Sequence, residues 1–519
     1  MTEFYSKFQE SLLDKDTFSI TWELVPGRGS FEVAQEVVFS SAEEAVKGGK
    51  VHALTITDNP GGNPAISSEM LGAEIIKMGI EPLVHFTCKD KNRNQLESLL
   101  YGMERENVRN LLVMTGDYTY SGFRGRSKPV FDLDPAQLLS LITEMNQGLV
   151  VPTFKGTATL KPTHFFAGAA VSPFKAVESE QMGQYYKLKK KLDAGAQFIV
   201  TQLGYDFRKI QEAKMMMETL GYGNVPIVGN IYLLPLGAAR LMNRNGLPGC
   251  VVTNELVDVI AKEAEAEDKG KGKRLERAAK MYAFMKTQGF AGVHIGGHGM
   301  KYDDVEVIIQ MGEELLPKVD EFVKEFDFSQ PNGWYYFEKD EATGLNTTTP
   351  TDRSDKPSAG LGYKTFKVLH HSMFEKKGFL FGPMRAISRA IDGSGMEHFF
   401  TRVEHFMKVM TNECMHCGDC ALFDLAYLCP MSQCVKNQRN GPCGGSYNGW
   451  CEVYENKKKC IYVRAYDRLK SHGAEDVLGD YQVPPIDFDL RWTASWLNFF
   501  MGRDHSAKRL GIMPPEKKD

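Results

Sequence analysis

Over most of its length the sequence has little cysteine, no excess of basic charge and no long apolar run. Only Cys88 and Cys250 lie outside residues 414–460. The formal net charge is −4, so neither a nucleic acid nor an anionic membrane is predicted as a partner. No stretch reaches the roughly 18 apolar residues of a membrane span, and Met1–Lys15 lacks the apolar segment of a secretion signal. We therefore expect a cytoplasmic protein in a reducing compartment.

The cysteines are concentrated near the end of the chain. Eight of them lie at Cys414, Cys417, Cys420, Cys429, Cys434, Cys443, Cys451 and Cys460. In a reducing compartment such a cluster indicates metal ligands rather than disulfides. The first three, with Cys429-Pro430 after them, resemble the bacterial [4Fe–4S] signature, although eight residues separate Cys420 from Cys429. Zinc is the alternative, and eight thiolates suffice for one or two four-ligand sites of either kind.

The first 300 residues alternate short apolar runs with longer amphipathic segments. The runs are 18–23, 52–57, 82–87, 110–114, 166–171, 198–202, 226–231 and 292–295. Their length and their β-branched and aromatic residues are typical of strands, and eight strand–helix units predict a (β/α)8 TIM barrel. A doubly wound open sheet is the alternative, but no G-x-G-x-x-G follows the first strand.

We predict four regions along the chain. They are a reductase barrel over residues 1–305, a linker with a helical connection over 306–400, a small cysteine-rich metal-binding domain of helices and loops over 401–475, and a docking tail over 476–519. In the tail, a helical stripe of four aromatic residues is predicted from Trp492, Trp496, Phe499 and Phe500. We expect this stripe to dock on the protein itself, with a partner interface as the alternative.

Polar residues stand where the predicted strands end. They are Glu23, Thr57, Asp58, His85, Thr87, Gly116, Asp117, Gln202, His294 and His298. In barrels of this kind the active site lies at the carboxyl ends of the strands. We therefore expect these side chains to converge on one mouth, although each of them could instead serve only to cap a loop.

Four motifs in order carry a specific resemblance. They are Thr21–Pro26, His85–Cys88, Thr115–Asp117 and Asp193–Gln202. Their spacing over residues 15–300 resembles methylenetetrahydrofolate reductase, a flavin-containing (β/α)8 barrel. The resemblance implies that Glu23 is the general acid, that Asp117 contacts the pterin and that Gln202 contacts folate. It also implies flavin-binding roles for Thr57, His85, Gly116, Asp117, Ala170 and Lys191. For Lys191, a place on a solvated helix face over Lys187–Lys191 is the alternative.

The residue types fit the chemistry that the resemblance implies. The ring of 5,10-methylenetetrahydrofolate must open to an iminium cation before it accepts hydride, and opening requires a proton on N10. We therefore expect Glu23 to be a partly buried acid with a raised pKa. Asp117 would stabilise the cation and bind the pterin amine, while the flavin delivers hydride from N5. Thr115 stands where the family often has arginine, and residues 296–299 lack an arginine that some members place there for the folate tail.

The cysteine-rich region carries a second resemblance. Residues 429–453 resemble the C-terminal domain found with anaerobic methylenetetrahydrofolate reductases, which is often a separate subunit. The resemblance favours FMN, with FAD as the alternative. Because the sequence has no nicotinamide fingerprint, the flavin needs another source of electrons, which favours one or two [4Fe–4S] clusters over zinc. The first cluster would use Cys414, Cys417, Cys420 and either Cys429 or a later cysteine.

The sequence leaves the partners and two other functions open. The electron donor could be a ferredoxin, NADH or NADPH, or a partner subunit, and we expect a homo-oligomer that takes tetrahydrofolate as its substrate. One alternative function is a pterin-dependent methyltransferase on a similar barrel. The other is a non-catalytic electron-relay or docking subunit with zinc in its cysteine domain.

Overall fold

A computed structural model describes residues 5–514 and divides them into two compact units. The first unit runs to Asp352 and also contains Cys443–Asn448. The second unit comprises Arg353–Pro442 and the chain from Gly449 onward. None of the helices within residues 5–514 is long and apolar enough to cross a membrane.

The first unit is built around a closed barrel of parallel strands, which confirms the predicted fold class. The strands are β1 (Ser19–Leu24), β2 (Ala53–Ile56), β3 (Glu81–Thr87), β4 (Asn110–Met114), β5 (Phe166–Val171), β6 (Phe198–Thr201), β7 (Ile227–Tyr232) and β8 (Gly292–Gly296). They pair in the order β1-β8-β7-β6-β5-β4-β3-β2. Each predicted run therefore forms a strand, with ends that differ from the prediction by one residue at most.

The amino-terminal end of the barrel is filled by apolar side chains. Inward residues of this layer are Ala53, Leu83, Leu112, Phe166, Phe198, Val200 and Val228. The helix Lys7–Leu13 closes this end with Phe8 and Leu12, which are fully buried in the same cluster. The Phe8 ring meets Phe166 and Phe198 edge-on, with centroids 6.1 and 5.8 Å apart, an arrangement that aromatic rings favour. Polar inward residues are thereby left to the opposite end of the barrel.

Helices surround the barrel and connect its strands. In the first unit they are Val33–Gly48, Ser68–Ile75, Arg93–Arg105, Pro135–Gln147, Glu178–Asp193, Phe207–Thr219, Leu236–Asn243, Asn254–Glu263, Lys271–Thr287, Tyr302–Leu315 and Val319–Phe322. Two hairpins accompany them, Val150–Thr153 with Gly156–Thr159 and Phe337–Lys339 with Asn346–Pro350. The second hairpin lies inside the stretch that the sequence predicts as a long connection, so this stretch contains regular structure.

The second unit consists of short helices and loops. Its helices are Leu361–Met373, Phe381–Ile391, Glu397–Asn412, Pro430–Gln433, Ile461–Lys470, Ser495–Phe500 and His505–Arg509. In the tail, Phe499 and Phe500 are buried and pack against Phe374, with ring centroids 5.4 and 5.5 Å apart. The predicted stripe of four aromatic residues is wrong at Trp492. This residue precedes the helix, has a positive φ of 68° and is 61% exposed.

A buried carboxylate ties the tail to the cysteine motif. Asp419, between Cys417 and Cys420, accepts hydrogen bonds from Nδ1 and the backbone N–H of His505. The Arg439 guanidinium lies 3.5 Å from the same carboxylate. Burial would raise the pKa of Asp419, but the hydrogen bond and charge of His505 and the charge of Arg439 outweigh it and lower the pKa to about 2.

We predict that Asp419→Asn destabilises the second unit by about 3 kcal/mol, because His505 and Arg439 lose their buried counter-charge. The pKa of the Asp419 carboxyl is about 3.9 in the unfolded chain and about 2 in the folded protein. Its contribution to the free energy of unfolding is therefore present above pH ~4 and is lost as the pH falls towards 2. Denaturant unfolding from pH 7 to pH 2 measures both effects. Asp489→Asn, at an exposed position, is the control, and equal stability of the two variants would contradict the prediction.

Candidate active site and cysteine site

Three ionisable side chains meet at the carboxyl end of the barrel. Glu23 lies at the end of β1, His85 on β3 and His294 on β8, and one ligand atom from each lies within 4.8 Å of the other two. His294 Nε2 is 3.5 Å from Glu23 Oε2. The strand register places Thr21 opposite His294 and Glu23 opposite Thr55, so the cluster follows from pairing of β1 with both neighbours.

Threonine hydroxyls hold the other edge of the His294 ring. Its Nδ1 lies 2.9 Å from Thr21 Oγ1 and 3.3 Å from Thr55 Oγ1. His294 is buried, so this contact orients Nε2 towards Glu23. The sequence identifies His294 as a strand-end residue, but its role beside Glu23 depends on the closing pair of β1 and β8 and could not be deduced from the motifs.

The structure corrects the expected ionisation of Glu23. Burial by itself would raise the pKa of the Glu23 carboxyl. The hydrogen bond and positive charge of His294, with a smaller contribution from His85, outweigh burial and lower the pKa below its ordinary value. The expected raised pKa is therefore wrong, because the motifs do not show that the His294 ring faces the carboxylate.

Two polar atoms near this cluster have no partner among the described residues. They are His85 Nε2 and Thr57 Oγ1, both buried. Burial lowers the pKa of His85 to about 4, although the Glu23 charge opposes the shift, so His85 is neutral at physiological pH. Buried polar atoms are rarely left without a hydrogen bond. Their position at the mouth indicates that a bound group completes the site.

Asp117 and Gly116 lie in the loop after β4. Asp117 is exposed and its Oδ2 accepts a hydrogen bond from the Gly61 N–H at 2.7 Å. Its charge is among those that act on His85, so the carboxylate lies within electrostatic reach of the cluster. Gly116 has φ +84°, and a Cβ there would lie 2.9 Å from Thr87 Cβ. A side chain at 116 would therefore displace the loop that carries Asp117.

Lys191 points to the end of β5. Its Nζ donates to the backbone oxygen of Ala170 at 2.5 Å. Burial, reinforced by the neighbouring Lys187 charge, lowers the pKa of Lys191 to about 7. Both lysines are buried. The alternative of a solvated helix face is therefore wrong for these residues.

Gln202 follows β6, and its Oε1 accepts a hydrogen bond from the Leu203 N–H at 2.9 Å. Cys250 is part of the same end of the barrel, because its thiol responds to the charges of Asp117, Glu23 and Lys175. Burial is the largest cause that raises the pKa of Cys250, to about 12. No sequence motif connects Cys250 with the mouth. Cys88, by contrast, is fully buried in the core.

In the second unit, four thiols form a candidate metal site. Cys414, Cys417, Cys420 and Cys429 influence one another electrostatically. Burial is the largest cause that raises the pKa of Cys417 to about 12 and that of Cys420 to about 11. The thiolate is the metal ligand, so binding must displace protons from these thiols.

A positive charge stands beside this site. Lys408 Nζ lies 3.9 Å from Cys420 Sγ and 2.8 Å from Glu404 Oε1. Lys408 is buried. Its pKa is raised, because the negative charges of Cys420 and Glu404 outweigh burial. The lysine offsets part of the negative charge that four thiolates would bring into a buried site.

The remaining cysteines divide between the two units. Cys443 belongs to the barrel unit, and Cys434, Cys451 and Cys460 belong to the second unit. No disulfide joins any of the ten cysteines, all of which lie within residues 5–514.

Together these observations define a (β/α)8-barrel protein with an acid–base cluster at its mouth and a separate thiol site. Residues 7–310 match the family model of methylenetetrahydrofolate reductase, and residues 394–489 match a model described as the methylenetetrahydrofolate reductase C terminal. The first match covers more than half of the chain. The chain therefore belongs to the methylenetetrahydrofolate reductase family, which confirms the resemblance of its motifs.

Two solved structures are similar at low identity. One is an uncharacterised protein from Clostridium thermocellum, described as binding two copies of 5-methyl-5,6,7,8-tetrahydrofolic acid. It is 11% identical in sequence, with a TM-score of 0.42, and the match covers 60% of this chain and 99% of that one. The other is Yersinia pestis DHPS with a pterine–sulfa conjugate, with 8% identity, a TM-score of 0.32 and coverage of 58% and 95%. No curated protein matches the chain.

We predict that His294→Asn raises the pKa of the Glu23 carboxyl. The substitution removes the charge that lowers this pKa and leaves the burial that raises it. Infrared difference spectra against the Glu23→Gln variant, recorded over a pH series, isolate the carboxyl band. The exposed His298 provides the control His298→Asn, which should leave the titration unchanged. An unchanged titration in His294→Asn would show that His294 does not determine the ionisation of Glu23.

Proposed function

We propose that the protein is a flavin-dependent reductase that converts 5,10-methylenetetrahydrofolate to 5-methyltetrahydrofolate. The observation that carries this proposal is the Glu23–His294 pair at the barrel mouth, beside the unpartnered His85 Nε2 and Thr57 Oγ1. Membership of the family supports the reaction and the substrate class. The pair supplies the acid that opening of the substrate ring requires.

In this proposal Glu23 donates the proton, with His294 beside it. The hydrogen bond and charge of His294 lower the pKa of Glu23, so they stabilise the carboxylate that is left when the proton is released. This proton goes to N10 of the substrate, the C–N10 bond breaks and a 5-iminium cation forms. Asp117 supplies a negative charge near the cation, and Gln202 offers an amide to the pterin edge.

The residues at the mouth also fit a flavin, with FMN favoured and FAD as the alternative. His85 is neutral and its Nε2 needs a partner. Lys191, near Ala170 at the end of β5, offers a positive charge. Thr57, Gly116 and Asp117 would be further contacts of the flavin. When bound, the flavin supplies the hydride from N5.

For the thiol site we propose a [4Fe–4S] cluster that feeds electrons to the flavin, with zinc as the alternative. The resemblance of Cys414, Cys417 and Cys420, with Cys429-Pro430 after them, to the bacterial [4Fe–4S] signature supports this choice. The Lys408 ammonium, 3.9 Å from Cys420 Sγ, would offset part of the negative charge of the thiolates. Cys434, Cys451 and Cys460, which belong to the second unit, would offer ligands for a second site.

We predict that Glu23→Gln lowers the rate of folate reduction by pre-reduced flavin by about 10²–10⁴-fold, because the general acid is lost. Reduction of the flavin by dithionite should stay within about twofold of wild type. Stopped-flow measurement of the two half-reactions separates these effects. Glu43→Gln, on an exposed helix face, is the control.

Equal loss of both half-reactions in Glu23→Gln would show that Glu23 is structural. A wild-type protein without flavin bands that still transfers a methyl group from 5-methyltetrahydrofolate would favour the methyltransferase alternative. The same anaerobic assay with ferredoxin, NADH and NADPH as reductants identifies the electron donor.

We predict that wild-type protein shows a broad visible absorption that dithionite bleaches, and that Cys417→Ser loses about half or more of its iron. The loss follows because a thiolate ligand is replaced by a hydroxyl with weak affinity for iron. Iron, sulfide and zinc analysis after anaerobic purification measures the change. Cys88→Ala, in the barrel core, is the control. A wild-type protein that contains zinc and no iron would contradict the relay function.

A further inference from the structure

A short segment from the cysteine-rich region belongs to the barrel unit. This segment, Cys443–Asn448, groups with the barrel rather than with the residues on either side of it in sequence. The barrel binds it through side chains from the end of β5 and the helix that follows. Lys175 Nζ donates to the backbone oxygens of Gly444 and Ser446, at 2.6 Å each. Gln184 Nε2 donates to the Cys443 oxygen at 2.9 Å.

Lys175 is buried, and its backbone is held in position by hydrogen bonds. It lies in the turn after β5 and is only 2% exposed. Its own backbone N–H is bonded to Pro173 and to the side chain of Gln181, so the turn that carries the lysine is held on both sides. A buried ammonium group needs compensating acceptors. Two of these acceptors are carbonyls of the segment, and charge-assisted bonds of this kind are strong.

The segment reaches the proposed folate contacts. A Cβ built on Gly249, which has φ +86°, would lie 2.9 Å from the Gly444 oxygen and 3.6 Å from Gln202 Nε2. A Cβ on Gly444 would lie 3.6 Å from Ser172 Cβ, at the end of β5. Gly444 therefore lies between the end of β5 and the loop that joins the helices Leu236–Asn243 and Asn254–Glu263, close to Gln202. Cys250, the next residue after Gly249, lies within electrostatic reach of Glu23 and Asp117.

Two hydroxyl groups in this region have no hydrogen-bond partner within residues 5–514. They belong to Ser172 at the end of β5 and to Ser446 of the segment, and both are buried. A buried hydroxyl without a partner is costly. One such hydroxyl comes from the barrel and the other from the segment, so both elements carry polar groups that a ligand would satisfy.

We propose that Cys443–Asn448 forms one wall of the reduced-folate site and that Lys175 is its positioning residue. This inference rests on the proposed function. It adds a recognition element to the site that comes from the cysteine-rich sequence rather than from the barrel strands. The segment brings the backbone of Gly444 close to Gln202 and carries the Ser446 hydroxyl, and these polar groups suit a pterin ring with several donors and acceptors.

The test measures folate affinity separately from flavin chemistry, in the full-length holoprotein. We expect Lys175→Met to weaken binding of 5-methyltetrahydrofolate about tenfold or more, followed through the change in flavin absorbance, and to raise KM for methylenetetrahydrofolate by a similar factor. Flavin content and flavin reduction by dithionite should remain at wild-type values. Lys161→Met, at an exposed position, is the matched control.

Ser446→Ala gives a second measurement that does not depend on the buried lysine. Removing a hydroxyl that has no partner should leave unfolding stability unchanged or raise it, whereas folate affinity should fall about two- to tenfold. If Lys175→Met binds 5-methyltetrahydrofolate with wild-type affinity, the inference is overturned. If Lys175→Met does not fold, wild-type folate affinity in Ser446→Ala overturns it instead. A wild-type protein that holds no flavin and binds no folate would instead overturn the proposed function, so the two failures are distinguishable.

Discussion

Closure of the parallel strands into one ring is the constraint on which the site depends. Strand side chains alternate between the two faces, and closure turns one face into a shared interior. Thr21 and Glu23 on β1 therefore share this interior with His85 on β3. Closure also pairs β1 with β8 and brings His294 beside Glu23. Since Phe8 and the apolar layer fill the other end, polar side chains gather at the mouth.

The pKa values of the groups at the mouth depend on two opposing effects, burial and neighbouring charge. Burial opposes charge on every group there, but the groups differ in their neighbours. Glu23 faces His294 and its pKa is lowered. His85 is dominated by burial and stays neutral. Lys191 is buried beside another lysine, and its pKa falls to about 7. The same end of the barrel thus contains a carboxyl with a lowered pKa, a neutral imidazole and, at the end of β5, a lysine with a lowered pKa.

Residues of the cysteine-rich region belong to both units. Cys414, Cys417, Cys420 and Cys429 form a thiol site with Lys408 beside it, and Asp419 within the same motif holds the tail through His505. The Cys443–Asn448 segment is instead part of the barrel unit, where Lys175 binds its carbonyls. A run of cysteines that is continuous in sequence therefore contributes to separate structural tasks.

The sequence by itself determined the class of fold and predicted which residue types could serve as ligands. Short apolar runs rich in β-branched and aromatic residues identify all eight strands because strand propensity is a local property, and the clustered cysteines predict metal ligands because thiols of that density have few other uses in a reducing compartment. Only the tertiary structure decided the ionisation of Glu23, the burial of Lys191 and the place of Cys443–Asn448. Each of these depends on a neighbour distant in the chain, namely His294, Lys187 packed in a buried helix, and Lys175. A pKa or a contact across such a separation is created by packing, which local sequence patterns do not encode.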